Sequence, residues 1–124
     1  MAYRVTNRSR QKILGEQVSL ARGFKDRFVG LMGRKDLPMW HGLHILPCNS
    51  IHTFFMRIAI DVAFLDRDLK VLRIYSALPP WRATPVYFKA RSVLELPAGV
   101  LAASGTVEGD ELAIEDLQAP VLVS

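Results

Sequence analysis

All three histidines and the only cysteine of this 124-residue chain lie within one short stretch, in the arrangement H-x2-H-x3-C-x3-H. They are His41, His44, Cys48 and His52. Four nitrogen and sulfur ligands are the number that a structural zinc site uses. The two-residue spacing between paired cysteines that marks a zinc ribbon is missing, however. An extended chain would also hold Cys48 and His52 about 13 Å apart. We therefore expect no bound metal and no cofactor.

The same residues could instead form a nucleophile and its base. Cys48 would attack, His52 would lower the pKa of the thiol, and Asp61 would orient the imidazole. Such a site, or a metal held by Cys48 and His52, would make a hydrolase-type enzyme. The competing interpretation is that Cys48 is a small buried apolar residue and that His52 bonds to a backbone carbonyl. Since the spacing matches no protease motif, the enzyme is our second hypothesis.

A third group consists of charges embedded in apolar strand sequence: Arg57, Asp61 and Glu95, with Arg34 after a predicted helix. An unpaired carboxylate inside a small β-protein is costly. We therefore expect Asp61 and Glu95 to be largely buried and paired with arginine or with backbone donors. Two hypotheses remain open, a structural ion-pair network and a polar pocket in which Arg34 or Arg57 binds a carboxylate or phosphate.

Trp81 lies in the segment "SALPPWRATPV", residues 76–86, which contains three prolines and has no periodicity. This composition predicts an extended, proline-stiffened loop. A large aromatic side chain on such a loop could stack on a ligand or contact a partner, or it could pin the loop to the core.

The elements that must position these residues are mostly strands. Alternating apolar residues predict a mostly β fold with one short helix, a compact antiparallel β-barrel or sandwich of about seven or eight short strands. Within "CNSIHTFFMRIAIDVAFLD", residues 48–66, we expect a core strand pair with a pocket edge. Strands are predicted at residues 3–5, 16–21, from 43, at 58–65, 71–75, 93–96 and 111–115, a helix within 23–33, and one helical turn at 100–104.

Length and composition predict a single globular domain, residues 1–124. The apolar stretch 37–56 contains histidine, proline and asparagine, so we expect no membrane span. No signal peptide is evident and one cysteine cannot form an internal disulfide, so we expect a cytoplasmic protein. Residues 1–62 carry 10 Lys and Arg against 4 Asp and Glu. Because these cations are scattered without interleaved aromatic residues, we expect no specific nucleic-acid binding.

Several motifs, in their order and spacing, resemble the bacterial and archaeal family called domain of unknown function 192. The motifs are "GLMGR" at 30–34, "CNSIHTFFMRIAIDVAFLD" at 48–66, "VLELPAG" at 93–99 and the pair Gly109 and Asp110. The resemblance spans residues 24–112, and it departs at Ala59, where the family pattern has proline. It implies a small β-rich fold with a short helix near the start. It implies no reaction.

We therefore expect a bacterial, non-catalytic β-domain that binds a small-molecule ligand or a protein partner. The pocket should lie where residues 52–61 meet Glu95 and the loop that carries Trp81. The candidate pocket residues are Arg34, Cys48, His52, Arg57, Asp61, Trp81 and Glu95.

Overall fold

Seven strands form one curled sheet in the computed structural model, which describes residues 2–22 and 35–117. The predicted mostly β fold with seven or eight short strands is confirmed. The elements in the described part of the chain are β1 (Tyr3–Asn7), β2 (Lys12–Ala21), β3 (His41–Ile45), β4 (Ile60–Leu65), β5 (Val71–Leu78), β6 (Ser92–Pro97), the helix α1 (Val100–Ser104) and β7 (Leu112–Asp116).

The strand order is β5-β4-β6-β3-β2-β1-β7, and the two outer strands meet at their first residues. An isolated bridge joins Lys70 to Glu111, and the Leu112 N–H donates to the Leu69 carbonyl at 2.9 Å. The sheet therefore curls into a half-barrel, which shortens its unpaired edges. One pair, β2 and β3, is parallel, unlike the antiparallel arrangement expected from the sequence. The 19 residues between these strands supply the long crossover that a parallel pair needs.

Both faces of the sheet are buried at its centre, because every residue of β4 and β6 is buried. Side chains alternate between two cores, as the periodicity of residues 58–65 predicts. The first core contains Ala63 and Leu65 of β4 with Leu101 of α1. The second contains Val62 and Phe64, and two loops cover it. We call these loops L1, residues 46–59, and L2, residues 79–91.

Strand β4 begins only at Ile60, so the expectation of a core strand pair from residue 48 onward was wrong for its first part. L1 makes no sheet ladder, and Phe54, which belongs to the segment expected to form that strand pair, is 38% exposed. The predicted helical turn at 100–104 is confirmed as α1. The helix predicted within 23–33, and Arg34, lie outside the described residues.

Candidate binding site

L1 and L2 lie side by side, and backbone hydrogen bonds join residues 48–53 of L1 to residues 81–91 of L2. Each also sends an anchor into the second core, Met56 from L1 and Tyr87 from L2, whose ring lies 4.7 Å from that of Phe64. We call the joined loops the loop pair. The bonded residues are Cys48 with Arg91, Asn49 with Tyr87, Ile51 with Thr84, and Thr53 with Arg82, at 3.0, 2.9, 2.9 and 2.8 Å.

Thr53 ties the two loops together at one end of the loop pair. Its side chain is fully buried, and its hydroxyl donates to the Pro79 carbonyl at 2.7 Å and accepts from the Arg82 N–H at 2.9 Å. Its carbonyl accepts from the N–H of Trp81 at 3.0 Å. A buried hydroxyl is retained where both its donor and its acceptor capacity are used. Thr53 therefore fixes the position of Trp81 relative to L1.

Four aromatic side chains project around this tie, and we call them the aromatic cluster: His52, Phe54, Phe55 and Trp81. The ring centroids of Phe54 and Trp81 lie 5.9 Å apart in a stacked arrangement, and Phe55 meets Trp81 edge-on at 4.8 Å. His52 lies 4.9 Å from Phe54. Phe55 and Trp81 are 59% and 57% exposed. The fold thus assembles a fixed aromatic surface that faces solvent.

The backbone at Phe55 and Trp81 is strained. Their φ angles are +65° and +64°, in the left-handed region that bulky residues rarely occupy. Strain of this kind costs about 1–3 kcal/mol per residue and tends to occur at functional sites. Because both rings are exposed, burial offsets little of this cost. Trp40 also has a positive φ, +71°, so strain alone does not single out the aromatic cluster. The cluster differs because its two strained residues, Phe55 and Trp81, contact each other through their rings.

Sequence reasoning selected His52 and Trp81 but missed Thr53, Phe54 and Phe55. The apolar run suggested that Phe54 is a core residue. The available signal was the density of aromatic residues in L1, where two phenylalanines follow one another. Two adjacent residues of a strand cannot both face one core.

Cys48 and His52 are not joined as a nucleophile and base. The Cys48 thiol donates to the carbonyl of Ser50 at 3.1 Å, and His52 Nδ1 accepts from the N–H of Phe54 at 3.2 Å. From Cys48 to Thr53, successive residues of L1 bond to successive positions of L2, from Arg91 back to Arg82. L1 is therefore extended between Cys48 and His52. Across residues 2–22 and 35–117, no three His, Cys, Asp or Glu side chains are grouped as metal ligands.

Asp61 is fully buried on the face of the first core. Its carboxylate accepts hydrogen bonds from the backbone N–H groups of Ala77, Gly99 and Leu101, at 2.8, 3.0 and 2.9 Å. Burial with backbone donors is what the sequence predicted for Asp61. The carboxylate thereby holds the start of α1 against β4, and solvent does not reach it.

Glu95 is also buried, 4% exposed, but it lies on the opposite face of the sheet. In the register of β4 and β6, Val62 of the second core pairs with Glu95, whereas Asp61 pairs with Leu96. Burial raises the pKa of Glu95 to about 8. The described part of the chain supplies no hydrogen bond or ion pair to its carboxyl group, so the partner expected from the sequence is not found there. Asp61 and Glu95 cannot share one pocket, and Arg57 is exposed.

His44 is a second buried ionisable group, which the sequence analysis considered only as a metal ligand. It pairs with Leu20 and Leu94 on the neighbouring strands, and its Nε2 has no hydrogen-bond partner among residues 2–22 and 35–117. Burial, with a smaller contribution from the charge of Arg22, lowers the pKa of His44 to about 4. The imidazole is therefore neutral in the folded protein near pH 7.

Asp110, from the Gly109–Asp110 motif, closes the half-barrel rather than forming a site. It accepts hydrogen bonds from Arg10 Nε at 2.9 Å, from Asn7 Nδ2 at 3.0 Å and from the Val107 N–H at 3.1 Å. The bond from Arg10 is the main cause that lowers the pKa of Asp110. These bonds hold β1 and the turn before β7 together.

A separate apolar cleft of about 290 Å³ lies between the turn before β3 and α1. Ile13, Met39 and Trp40 line one side, and Val100 and Ala103 line the other. Trp40 is 46% exposed and takes no part in the aromatic cluster. It provides a second exposed tryptophan against which the role of Trp81 can be measured.

Comparison with known proteins assigns this fold to a family. The family model DUF192, described as an uncharacterized ACR, matches residues 4–114. The chain belongs to the DUF192 family. The resemblance found in the sequence motifs is thereby confirmed. The DUF192 match includes L1, L2 and strands β2 to β6, with all but the first residue of β1 and the part of β7 up to Ile114.

Relatives of this DUF192 chain extend over most of its length. A UPF0127 protein of Pyrococcus furiosus is 35% identical over 111 residues, which cover 86% of this chain and 93% of the relative. A UPF0127 protein of Pyrococcus horikoshii is 34% identical over 113 residues, covering 87% and 96%. Both are archaeal, so they do not support the bacterial source expected from the sequence.

A solved structure shares the fold. The crystal structure of a protein of unknown function from Novosphingobium aromaticivorans superposes with a TM-score of 0.76 at 25% sequence identity. The match covers 90% of this chain and 82% of the other.

None of the helices among the described residues is long and apolar enough to cross a membrane.

Proposed function

We propose that this chain is a non-catalytic binding domain, cytoplasmic, and that it holds a small-molecule ligand or a partner against the aromatic cluster. The observation that carries the proposal is the state of Phe55 and Trp81. Both rings are more than half exposed, and both sit on backbone with positive φ. Stability alone gives no reason to keep two large apolar side chains in strained, solvated positions.

The cluster is also prepared for binding before any ligand arrives. Thr53 fixes Trp81 through three hydrogen bonds. Its carbonyl accepts from the Trp81 N–H, and its hydroxyl bonds to the Arg82 N–H and the Pro79 carbonyl on either side of Trp81. A rigid aromatic surface loses little conformational entropy on association, which favours affinity. Tryptophan is enriched among the residues that dominate binding energies.

The geometry supports binding better than catalysis. The thiol of Cys48 is not bonded to His52, and the Asp61 carboxylate is saturated by backbone donors. Glu95 has a pKa suited to proton transfer, but its carboxyl group is buried in the second core. The chain has one cysteine and therefore no internal disulfide, which favours a reducing compartment and supports the proposed cytoplasmic location.

A fluorescence experiment tests the proposal. The chain has two tryptophans, so in a Trp40→Phe protein the emission reports only on Trp81. This protein is titrated with a metabolite library and with fractions of cell extract. A ligand of the cluster should change the emission, and Phe55→Ala in the same background should weaken its binding about tenfold, since one stacking ring is lost.

The control is Ile13→Ala, which alters an apolar side chain of the separate cleft and should leave the affinity unchanged. Ligands that bind the protein without changing the Trp81 emission, and that bind equally well to the Phe55→Ala variant, would contradict the proposed function.

A further inference from the structure

The loop pair combines the exposed aromatic rings with positive charge. L1 and L2 together contain Arg57, Arg82, Lys89 and Arg91, and neither loop contains an aspartate or glutamate. All four cations are exposed. In the sequence these residues lie up to 34 positions apart, and the pairing of the two loops brings them onto one structural unit.

Rings and cations occur at both ends of this unit. At one end, the backbone N–H of Arg82 is bonded to Thr53 beside the aromatic cluster, and its Nη1 lies 3.5 Å from the carbonyl of Pro80, the residue before Trp81. At the other end, Phe88 is 89% exposed and lies with Cys48 and Arg91 around a cavity of about 320 Å³. The backbone between Cys48 and Thr53 spans about 16 Å when extended. Asp66 and Asp68 of the neighbouring turn also lie near Lys89 and Arg91 at this end. An occupant that uses the whole loop pair is therefore long, and the four cations and the exposed rings favour one that is anionic and offers flat groups at intervals.

We infer that single-stranded nucleic acid binds along the loop pair, with its bases on the exposed rings and its phosphates near the four cations; the inference rests on the proposed function and names its ligand. Proteins that bind single strands combine a positive surface with aromatic side chains on which bases stack. In a duplex the faces of the bases are already stacked on their neighbours, so the rings favour a single strand. An acidic protein partner would use the cations but would leave the rings without a specific role.

Binding should be almost independent of base sequence. Selective recognition needs free hydrogen-bonding groups beside the rings. The hydroxyls of Thr53 and Thr84 are already used between the loops, Thr84 by the N–H and carbonyl of Ile51. The expectation of no specific nucleic-acid binding rested on the scattered cations of residues 1–62, whereas Arg82 and Lys89 of L2 directly follow Trp81 and Phe88 in the sequence. The inference keeps the expectation that binding lacks base specificity.

The test measures fluorescence anisotropy of a labelled twelve-nucleotide oligo-dT with the full chain. Two comparison probes have the same length, an abasic oligonucleotide, which keeps the phosphates, and a duplex. Oligo-dT should bind about tenfold more tightly than either probe. Trp81→Ala should reduce oligo-dT affinity about tenfold, to the level of the abasic strand, and Trp81→Phe should retain most of it.

Charge is tested separately from stacking. Arg82→Gln and Arg91→Gln should each lower the slope of log K against log salt by about 0.7, the value for one phosphate contact on a single strand. Two controls should bind as the wild type does. Trp40→Ala removes an exposed tryptophan of the other cleft, and Arg73→Gln removes a half-exposed cation of β5. Thermal melts establish that each variant is folded.

Three results would overturn the inference. One is equal affinity for oligo-dT and the abasic strand. Another is oligo-dT binding that Trp81→Ala does not change. The third is preference above tenfold between oligo-dT and oligo-dA, which contradicts binding without base selectivity. If oligo-dT does not bind but another ligand changes Trp81 emission in a Phe55-dependent manner, the nucleic-acid inference is wrong and the proposed function stands.

Discussion

Replacing Glu95 with glutamine should stabilise the protein at neutral and alkaline pH. Burial raises the pKa of Glu95 from 4.5 to about 8 in the folded protein. The folded state therefore keeps a proton that the unfolded state releases above pH 4.5. A group with a raised pKa contributes stability that is complete below its unfolded pKa and is lost as the pH rises through its folded pKa. For Glu95 that interval is pH 4.5 to about 8.

The size of the effect follows from the interval. Each pH unit within it removes about 1.4 kcal/mol from the free energy of unfolding. At pH 7 the loss amounts to about 3 kcal/mol, and it is an upper limit because a small opening of the second core would let water reach the carboxylate. Glutamine has nearly the same shape as protonated glutamate and cannot ionise. Glu95→Gln should therefore match the wild type at pH 4.5 and exceed its stability by about 2–3 kcal/mol at pH 7.

His44 titrates in the opposite sense, and its contribution must be included. Burial lowers its pKa from 6.5 to about 4, so its stability contribution is complete above pH 6.5 and is lost as the pH falls towards 4. In the wild type the two slopes cancel between about pH 4.5 and 6.5, and stability then falls towards pH 8. In Glu95→Gln only His44 remains, so stability should rise to pH 6.5 and then stay level.

Urea denaturation at half-unit intervals from pH 5 to 8 measures both profiles, with the midpoint and the m value fitted at each pH. Glu108→Gln is the matched control, because Glu108 is exposed on a turn and its variant should follow the wild-type profile. Equal stability differences between Glu95→Gln and the wild type at pH 5 and pH 8 would refute the raised pKa of Glu95. A variant that is less stable than the wild type at pH 8 would refute it too, since the ionised carboxylate would then have a stabilising partner.

Three further predictions concern the residues that shape the loop pair and its supports. Asp61→Ala removes the acceptor of three N–H groups, that of Ala77 in β5 and those of Gly99 and Leu101 at the start of α1. The free energy of unfolding should therefore fall by about 3 kcal/mol in a urea titration. A loss under about 1 kcal/mol would show that water replaces the carboxylate. Thr53→Val keeps the shape of the side chain but removes its bonds to Pro79 and Arg82. Hydrogen exchange of the L2 amides should therefore accelerate, while that of the β4 amides should not. Unchanged protection of the L2 amides would contradict the role of Thr53 as a tie. Phe55→Gly should be more stable than Phe55→Ala by about 1 kcal/mol in thermal melts, because glycine accepts positive φ without strain; equal stability of the two variants would show that the backbone there is not strained.

The sequence by itself determined the local pattern of this protein. Alternation along residues 58–65 places Val62 and Phe64 on one face and Ala63 and Leu65 on the other. In the structure these two pairs lie in different cores. The helical turn at 100–104 was also predicted correctly. Periodicity is sufficient for these features because which face a side chain takes depends only on its neighbours in the chain.

Tertiary structure decided what covers each face. Asp61 was predicted to be buried and paired, but only the fold shows that its donors are backbone N–H groups 16 to 40 residues away. Phe54 and Phe55 belong to an apolar run, yet the pairing of L1 with L2 leaves both exposed. A run of apolar residues sets how much surface should be buried, but which of its members reach the core depends on contacts between distant segments. For that reason the strands could be predicted from the sequence, and the aromatic cluster could not.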